Sequence, residues 1–382
     1  MNIFLERYAD EILISSLGLK SGDVLSINTE ECNSEFAHIL AKKAREITGN
    51  GCYIQLIENG KVVATEEAAT DFPIEKKPTA LLHLPTYKEY EEIEDEKIYE
   101  APKLQSFRLL SEPLFNPSPS IPFSSAPSPN KAWGKSLDDE GTASLASSLI
   151  SDLLSLGEDD YLERTKSLKE ILRYERDKLN KLELAQGRIT TEEGTDLSFK
   201  FLDGSEFAIT ETSTSNGRLF TPTIFSSDIF RALDKTSLNG YLNITRPIML
   251  FGKMITNLSV TFENGSIVDF SSDERSARLF SLYLKQDREA GKASMLSIAE
   301  ETNPASFIEY FSFPEWDRMR TTSIVLGGPR PEGIKEEVKS ETVDSLVYLY
   351  LPIGSDSMII EASDNKGEDF TIVEDGILQE EE

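Results

Sequence analysis

The stretch VLSINTEECNSEFAHILAKKAREITGNGCYIQLI, residues 24–57, sets the architecture of the first part of the chain. Residues 24–27 form a short apolar run that reads as a strand. Ser34 then offers an N-cap for a helix through Ile47, on which Ala37, Leu40, Ala41 and Ala44 share one face. Residues 52–57 read as a second strand and residues 80–84 as a third. The order strand, helix, strand favours a parallel, sandwiched sheet, which predicts an α/β domain over residues 1–105. The Asn59-Gly60 pair equally allows residues 53–57 to turn back on 61–64 as a hairpin, adding an antiparallel ribbon. The residues alone leave that choice open.

Between Pro113 and Pro129 stand six prolines among serines and a few apolar residues. Such a segment sustains neither a helix nor a central strand. It is either a linker or an ordered crossing anchored by Phe115, Ile121, Phe123 and Trp133. Residues 159–184 carry helical spacing, with Leu168, Ile171, Leu172, Leu179 and Leu182 on one stripe. Beyond Gly194 the pattern turns to strands and tight turns. Residues 197–202 and 206–209 around Asp203-Gly204 read as a hairpin, as do 259–262 and 267–270 around Glu263-Asn264-Gly265. A helix over 274–284 interrupts them, and strands return at 323–326, 346–351 and 358–362. Residues 106–382 are therefore expected to form a larger α+β domain, largely antiparallel.

Composition agrees with two domains, since 382 residues exceed what one core usually holds. With 67 acidic against 39 basic residues, the net charge of −28 opposes nucleic acid and anionic membrane surfaces. The acidic runs at 89–96 and 380–382 read as solvated faces. Cys32 and Cys52 are the only cysteines, which removes a disulfide scaffold or a Cys-rich zinc site and suits a reducing cytoplasm. Both are expected to be small buried residues. No run of 18 apolar residues occurs, and residues 1–18 are amphipathic, so neither a membrane span nor a signal peptide is expected. The two histidines, His38 and His83, both lie in the first quarter of the chain. His38 reads as a helix-face residue and His83 as a strand-end residue.

Several motifs carry a resemblance. Leu5-Glu6-Arg7-Tyr8-Ala9 leads into Leu17-Gly18-Leu19-Lys20-Ser21-Gly22-Asp23-Val24-Leu25. Ala132-Trp133-Gly134-Lys135 follows the proline-rich stretch, then Leu179-Asn180 and Gly194-Thr195-Asp196-Leu197. The fullest block runs from Gly217-Arg218-Leu219-Phe220-Thr221-Pro222 to Phe230, and on through Arg246-Pro247 and Phe251-Gly252-Lys253 to Phe262-Glu263-Asn264-Gly265. With these motifs the chain resembles the aminopeptidase T (thermophilic metalloprotease) family over most of residues 3–378. The resemblance implies an N-terminal α/β domain, a larger C-terminal domain of the thermophilic metalloprotease type with a two-metal aminopeptidase site, and a homodimer.

The resemblance also implies where that site falls. A co-catalytic pair of divalent ions (Zn, Co or Mn) needs carboxylates and imidazoles to complete both shells. The first ligand carboxylate falls on Asp228, with Ser227 at the position of the family's candidate general base. The second falls on Glu300. Where the family has His and, seven residues on, Tyr, this chain has Ser323 and Arg330; where it ends on His-x-Asp, this chain has Tyr348 and Tyr350. Two carboxylates of six ligand positions remain, and no histidine follows residue 83. The expectation is a non-catalytic homologue without a cofactor, kept in the cytoplasm as a dimeric scaffold or a binder of peptide or protein. The alternative is an active metal-dependent aminopeptidase whose ligands lie elsewhere. If Asp228 and Glu300 converge, Arg330 is expected to bridge them, with the hydroxyl of Tyr348 or Tyr350 beside them.

Overall fold

The computed structural model describes residues 3–58, 61–71, 73–85, 120–138, 140–251, 253–311 and 313–379. The described residues fall into two compact units. The first takes in 3–85, 120–169 and 210–226, and the second 170–209 and 227–379. The boundary expected near residue 105 lies outside the described residues, as do Phe115 and the two acidic runs.

In the first unit a five-stranded sheet has the order Lys61–Ala68, Cys52–Glu58, Leu25–Thr29, Ala80–His83, Phe123–Ser125. The last four run parallel to one another, and Lys61–Ala68 pairs antiparallel with Cys52–Glu58. Both readings of residues 52–64 thus hold at once, a parallel sheet with a hairpin on its edge. The helix Ser34–Thr48 buries Phe36, Ala37, Leu40, Ala41 and Ala44. It ends on Gly49 at φ 78°, the left-handed cap glycine adopts without a Cβ clash. The proline-rich stretch is an ordered crossing from residue 120 onward. Phe123–Ser125 becomes an edge strand, where a neighbouring proline is tolerated, and Trp133 is fully buried. Cys52 is buried as expected, but Cys32 is exposed, because it sits in a single 3-10 turn, Glu31–Asn33, ahead of the helix.

Two large sheets and a short two-stranded one, Ile248–Leu250 with Lys253–Ile255, lie among the described residues of the second unit. An eight-stranded antiparallel sheet runs in the order Ser266–Ser271, Ser259–Glu263, Asn239–Asn243, Asp196–Lys200, Leu184–Thr190, Ile359–Asp364, Asp369–Glu374, Ile377–Leu378. A five-stranded antiparallel sheet runs in the order Tyr348–Pro352, Ser323–Gly327, Ala293–Ile298, Ile229–Ala232, Ala208–Ile209. The hairpin expected at 259–270 forms, turning on Asn264 and Gly265 at φ 49° and 75°. A Cβ on Gly265 would lie 2.0 Å from the Lys235 carbonyl, so only glycine fits there. The hairpin expected at 197–209 does not form. Asp196–Lys200 joins the larger sheet and Ala208–Ile209 the smaller, with Gly204 at φ 79° turning the chain from one to the other. The helix Glu274–Leu284 starts on Asp273, whose carboxylate accepts the Ser276 amide at 3.0 Å. Among the described residues no helix is long and apolar enough to cross a membrane.

Candidate functional site

Register in the five-stranded sheet decides which side chains meet. Phe230 opposes Ser297, Ser297 opposes Ser323, Val325 opposes Tyr350 and Gly327 opposes Tyr348. Because successive residues alternate between faces, Phe230, Met295, Ser297, Ser323, Val325, Tyr348 and Tyr350 share one face. Phe230, Met295 and Val325 pack there with the two tyrosines against them, whose rings meet edge to face at 5.8 Å. Asp228 precedes the first of these strands and reaches the same face, accepting the Ser297 hydroxyl at 2.8 Å. Four of the positions singled out from sequence, Asp228, Ser323, Tyr348 and Tyr350, are therefore brought together.

Glu300 is not among them. It follows Ala293–Ile298 on the opposite parity from Met295 and Ser297, and its carboxylate accepts the Leu378 amide at 3.1 Å. Burial raises its pKa, a shift the Leu378 amide partly offsets and Glu175 reinforces. That strand turns Met295 and Ser297 into the cluster, an apolar side chain and a hydroxyl. Ser227 is half-buried and accepts a hydrogen bond from the Asn303 amide. Ser323 donates to the Thr321 carbonyl at 3.2 Å.

The expected bridge from Arg330 to Asp228 or Glu300 does not form. Arg330 lies 3.0 Å from Glu332 and 3.8 Å from Glu315, with its guanidinium carbon 5.0 Å from the centre of the Phe230 ring. The cation on Asp228 is Arg318, and both side chains are fully buried. Arg318 also lies 3.4 Å from Glu315, which in turn accepts the Tyr348 hydroxyl at 2.6 Å. The short helix Pro314–Asp317 supplies this second half of the cluster. It is wedged in by Phe311, Phe313 and Trp316, all fully buried, and by Arg320, which lies 3.1 Å from Asp317 and donates to the Pro247 carbonyl at 2.8 Å. The missed residues had a signal. Glu315/Arg318 and Asp317/Arg320 are two opposite-charge pairs at i,i+3 inside an aromatic stretch, a spacing that puts partners side by side on one turn.

The electrostatics follow from this pairing. Burial works against charge on Arg318, but Asp228 and Glu315 outweigh it and lift its pKa above the ordinary guanidinium range despite the neighbouring Arg330. Arg330 is raised in the same way, burial being overcome by Glu332 and Glu315. Tyr350 is held neutral because burial raises its phenol, even though the two arginines pull it down. The result is a network of three carboxylates and two guanidiniums, running Asp228, Arg318, Glu315, Arg330, Glu332.

A metal pair asks this face for something else. Each ion needs several anionic or imidazole donors turned toward it. Here the Asp228 carboxylate is taken by a guanidinium and a hydroxyl, and Glu315 by two guanidiniums and a phenol. Among the described residues no group of three or more His, Cys, Asp or Glu side chains is placed to hold a metal ion. Two fixed cations stand beside the carboxylates that would have to bind it, so these residues do not fit a two-metal centre.

The comparisons with known proteins agree on the lineage. A family model described as thermophilic metalloprotease (M29) matches residues 2–377. Aminopeptidase PepS of Streptococcus thermophilus is 20% identical, over 97% of each chain. Aminopeptidase 2 of Geobacillus stearothermophilus is 22% identical, over 95% of this chain and 94% of its own. The solved structure of wild-type AmpT from Thermus thermophilus superposes with a TM-score of 0.79 at 18% identity, covering 98% of each chain, so the fold is shared. They also correct one expectation. The matched family is one of metalloproteases, so metal belongs to the lineage of this fold and the absence of a cofactor does not follow from the lost ligands alone. Match, register and fold together place the chain in the thermophilic metalloprotease (M29) family.

Proposed function

We propose that this chain is a member of that aminopeptidase family that no longer hydrolyses peptides and serves instead as a homodimeric scaffold or peptide-binding protein of the cytoplasm. The observation that carries this reading is the buried Arg318–Asp228 pair. A guanidinium keeps its charge at any physiological pH, so the carboxylate at the first ligand position faces a permanent cation. Serine at Ser227 supplies no group able to take a proton from water near neutral pH. The opposing reading, an active aminopeptidase, is favoured by the names of the relatives.

One assay separates the two. The purified protein is expected to release no p-nitroaniline above blank from a panel of aminoacyl-p-nitroanilides, with Co²⁺, Zn²⁺ or Mn²⁺ added. Turnover that scales with protein and disappears in Asp228→Asn would establish the opposing reading. The dimer is tested separately, with light scattering expected to give the mass of two chains. A single-chain mass of 42.7 kDa removes that part of the proposal. Charge does not forbid association, since it acts mostly at an interface rim.

A further inference from the structure

The parallel sheet of the first unit carries a feature that the metallopeptidase resemblance does not account for. From Leu25–Thr29 the chain goes outward on one side to Cys52–Glu58, then returns past it to Ala80–His83 on the other. The strand order reverses between Leu25–Thr29 and Ala80–His83. In open α/β sheets, ligands sit outside the carboxyl ends of the strands at such a reversal.

At that reversal the register places Asn28 opposite His83 and His83 opposite Ser125, near the carboxyl ends of three adjacent parallel strands. Ser26 lies on the same face, one pleat back. Asn28 Oδ1, His83 Nε2, Ser125 Oγ and Ser26 Oγ are all shut off from solvent and have no hydrogen-bond partner. Ser26 and Ser125 are each 3% exposed. Every other buried side-chain atom in that condition among the described residues belongs to an arginine or a glutamate, so the neutral ones are confined to this one face. Burying such a group without a partner is unfavourable, and folded proteins hold few of them. Four on three neighbouring strands are not scatter. The opposite face is ordinary core, with Leu25, Ile27, Ile54 and Leu82 buried and Ser124 bonded to Ser16 at 3.1 Å.

Two further observations define the chemistry. The row Asn28, His83, Ser125 contains amide, imidazole and hydroxyl groups but no Lys, Arg, Asp or Glu, and burial depresses the His83 proton affinity to about 4, so the ring is neutral near neutral pH. Beside it, one pleat back, Leu81 opposes Phe123, which packs edge to face on Phe220 at 5.1 Å, so the row is flanked by apolar side chains. We propose that this face binds an uncharged, planar small molecule whose edge presents N–H and C=O groups side by side, the edge shared by nucleobases and carboxamides.

His83 is its own reporter, because His38 is the only other histidine. The two imidazoles of the ¹⁵N-labelled full chain would be followed by ¹H–¹⁵N correlation while uracil, adenine or N-acetylalaninamide is added to millimolar concentration. The first two stand for a nucleobase and the third for a peptide amide. The expected result is a saturable movement of the His83 signals with one of these sources while those of His38 stay fixed. In Ser125→Ala the movement should weaken at least several-fold, while the thermal midpoint stays level or rises, since a hydroxyl without a partner has been removed. The proposal is overturned if no probe moves His83, if His38 moves in parallel, or if Ser125→Ala responds like the wild type. A lower midpoint or a failure to fold in Ser125→Ala also overturns it, by showing that the hydroxyl was bonded within the protein.

Discussion

Replacing Arg318 by alanine is expected to destabilise the second unit by about 3–5 kcal/mol, as does removing one partner of other buried ion pairs. The Arg318 and Asp228 side chains are both fully buried. Without the guanidinium, Asp228 loses the cation paired with it and Glu315 loses the nearer of its two guanidiniums. The loss comes from stranding charge in an apolar setting that includes Phe230, Met295 and Trp316, not from the strength of one contact. The double variant Asp228→Leu/Arg318→Met is therefore expected to recover most of the loss, because a buried pair exchanged for apolar groups of similar bulk is often neutral. A surface pair provides the contrast. Arg188 and Asp196 are bidentate but both more than half exposed, and Arg188→Ala should leave stability nearly unchanged. Denaturant unfolding of the three variants decides the matter. An Arg318→Ala effect no larger than that of Arg188→Ala would mean the cluster is solvated and that its arginines do not lock the site.

How much of this was legible in the sequence depends on the range of the interactions involved. The helix at 34–48 and the hairpin at 259–271 are specified locally, by apolar periodicity, a C-cap glycine and an Asn-Gly turn, and their bounds match the expectation to within a residue or two. The strands around Gly204 do not pair as expected because a turn signal says that the chain reverses, not which sheet receives the next strand. That choice is made by Ile229–Ala232, which offers its edge to Ala208–Ile209.

The site shows the same division. Motif spacing singles out Asp228, Ser323, Tyr348 and Tyr350, and sheet register brings them to one face. The resemblance puts the second carboxylate on Glu300, ahead of Asn303-Pro304, but a strand has period two, and Glu300 has the opposite parity from Met295 and Ser297. The expectation gives Arg330 to Asp228 or Glu300, because carboxylates that converge without a metal need a fixed cation. The need was correctly inferred and the partner was not. Arg318 fills it from a short aromatic-flanked helix whose docking depends on packing that no linear motif encodes.

The second large effect concerns pH and is hidden in the wild type. Glu11 is fully buried, and burial raises its carboxyl from 4.5 to about 7, only partly offset by hydrogen bonds such as that from Thr165 and by Lys169. An acid whose folded pKa is raised adds stability that is full below pH 4.5 and lost as pH climbs through 7. His83 works the other way. Burial lowers it from 6.5 to about 4, so its contribution is full above pH 6.5 and lost as pH falls through 4. At about 1.4 kcal/mol per pH unit, each is worth about 3 kcal/mol. Across most of the window from 4.5 to 6.5 the two slopes are opposite and of similar size, and they largely cancel. Removing one exposes the other. Relative to wild type, Glu11→Gln is expected to lose about 3 kcal/mol of stability as pH falls from 7 to 4.5, and His83→Gln about 3 kcal/mol as it rises from 4 to 6.5. Equilibrium urea unfolding of the three proteins across that range reads both slopes. Three parallel profiles would show that neither group is held away from its ordinary proton affinity, whereas profiles that diverge in opposite directions from the wild type establish that a buried acid and a buried base in one unit balance each other.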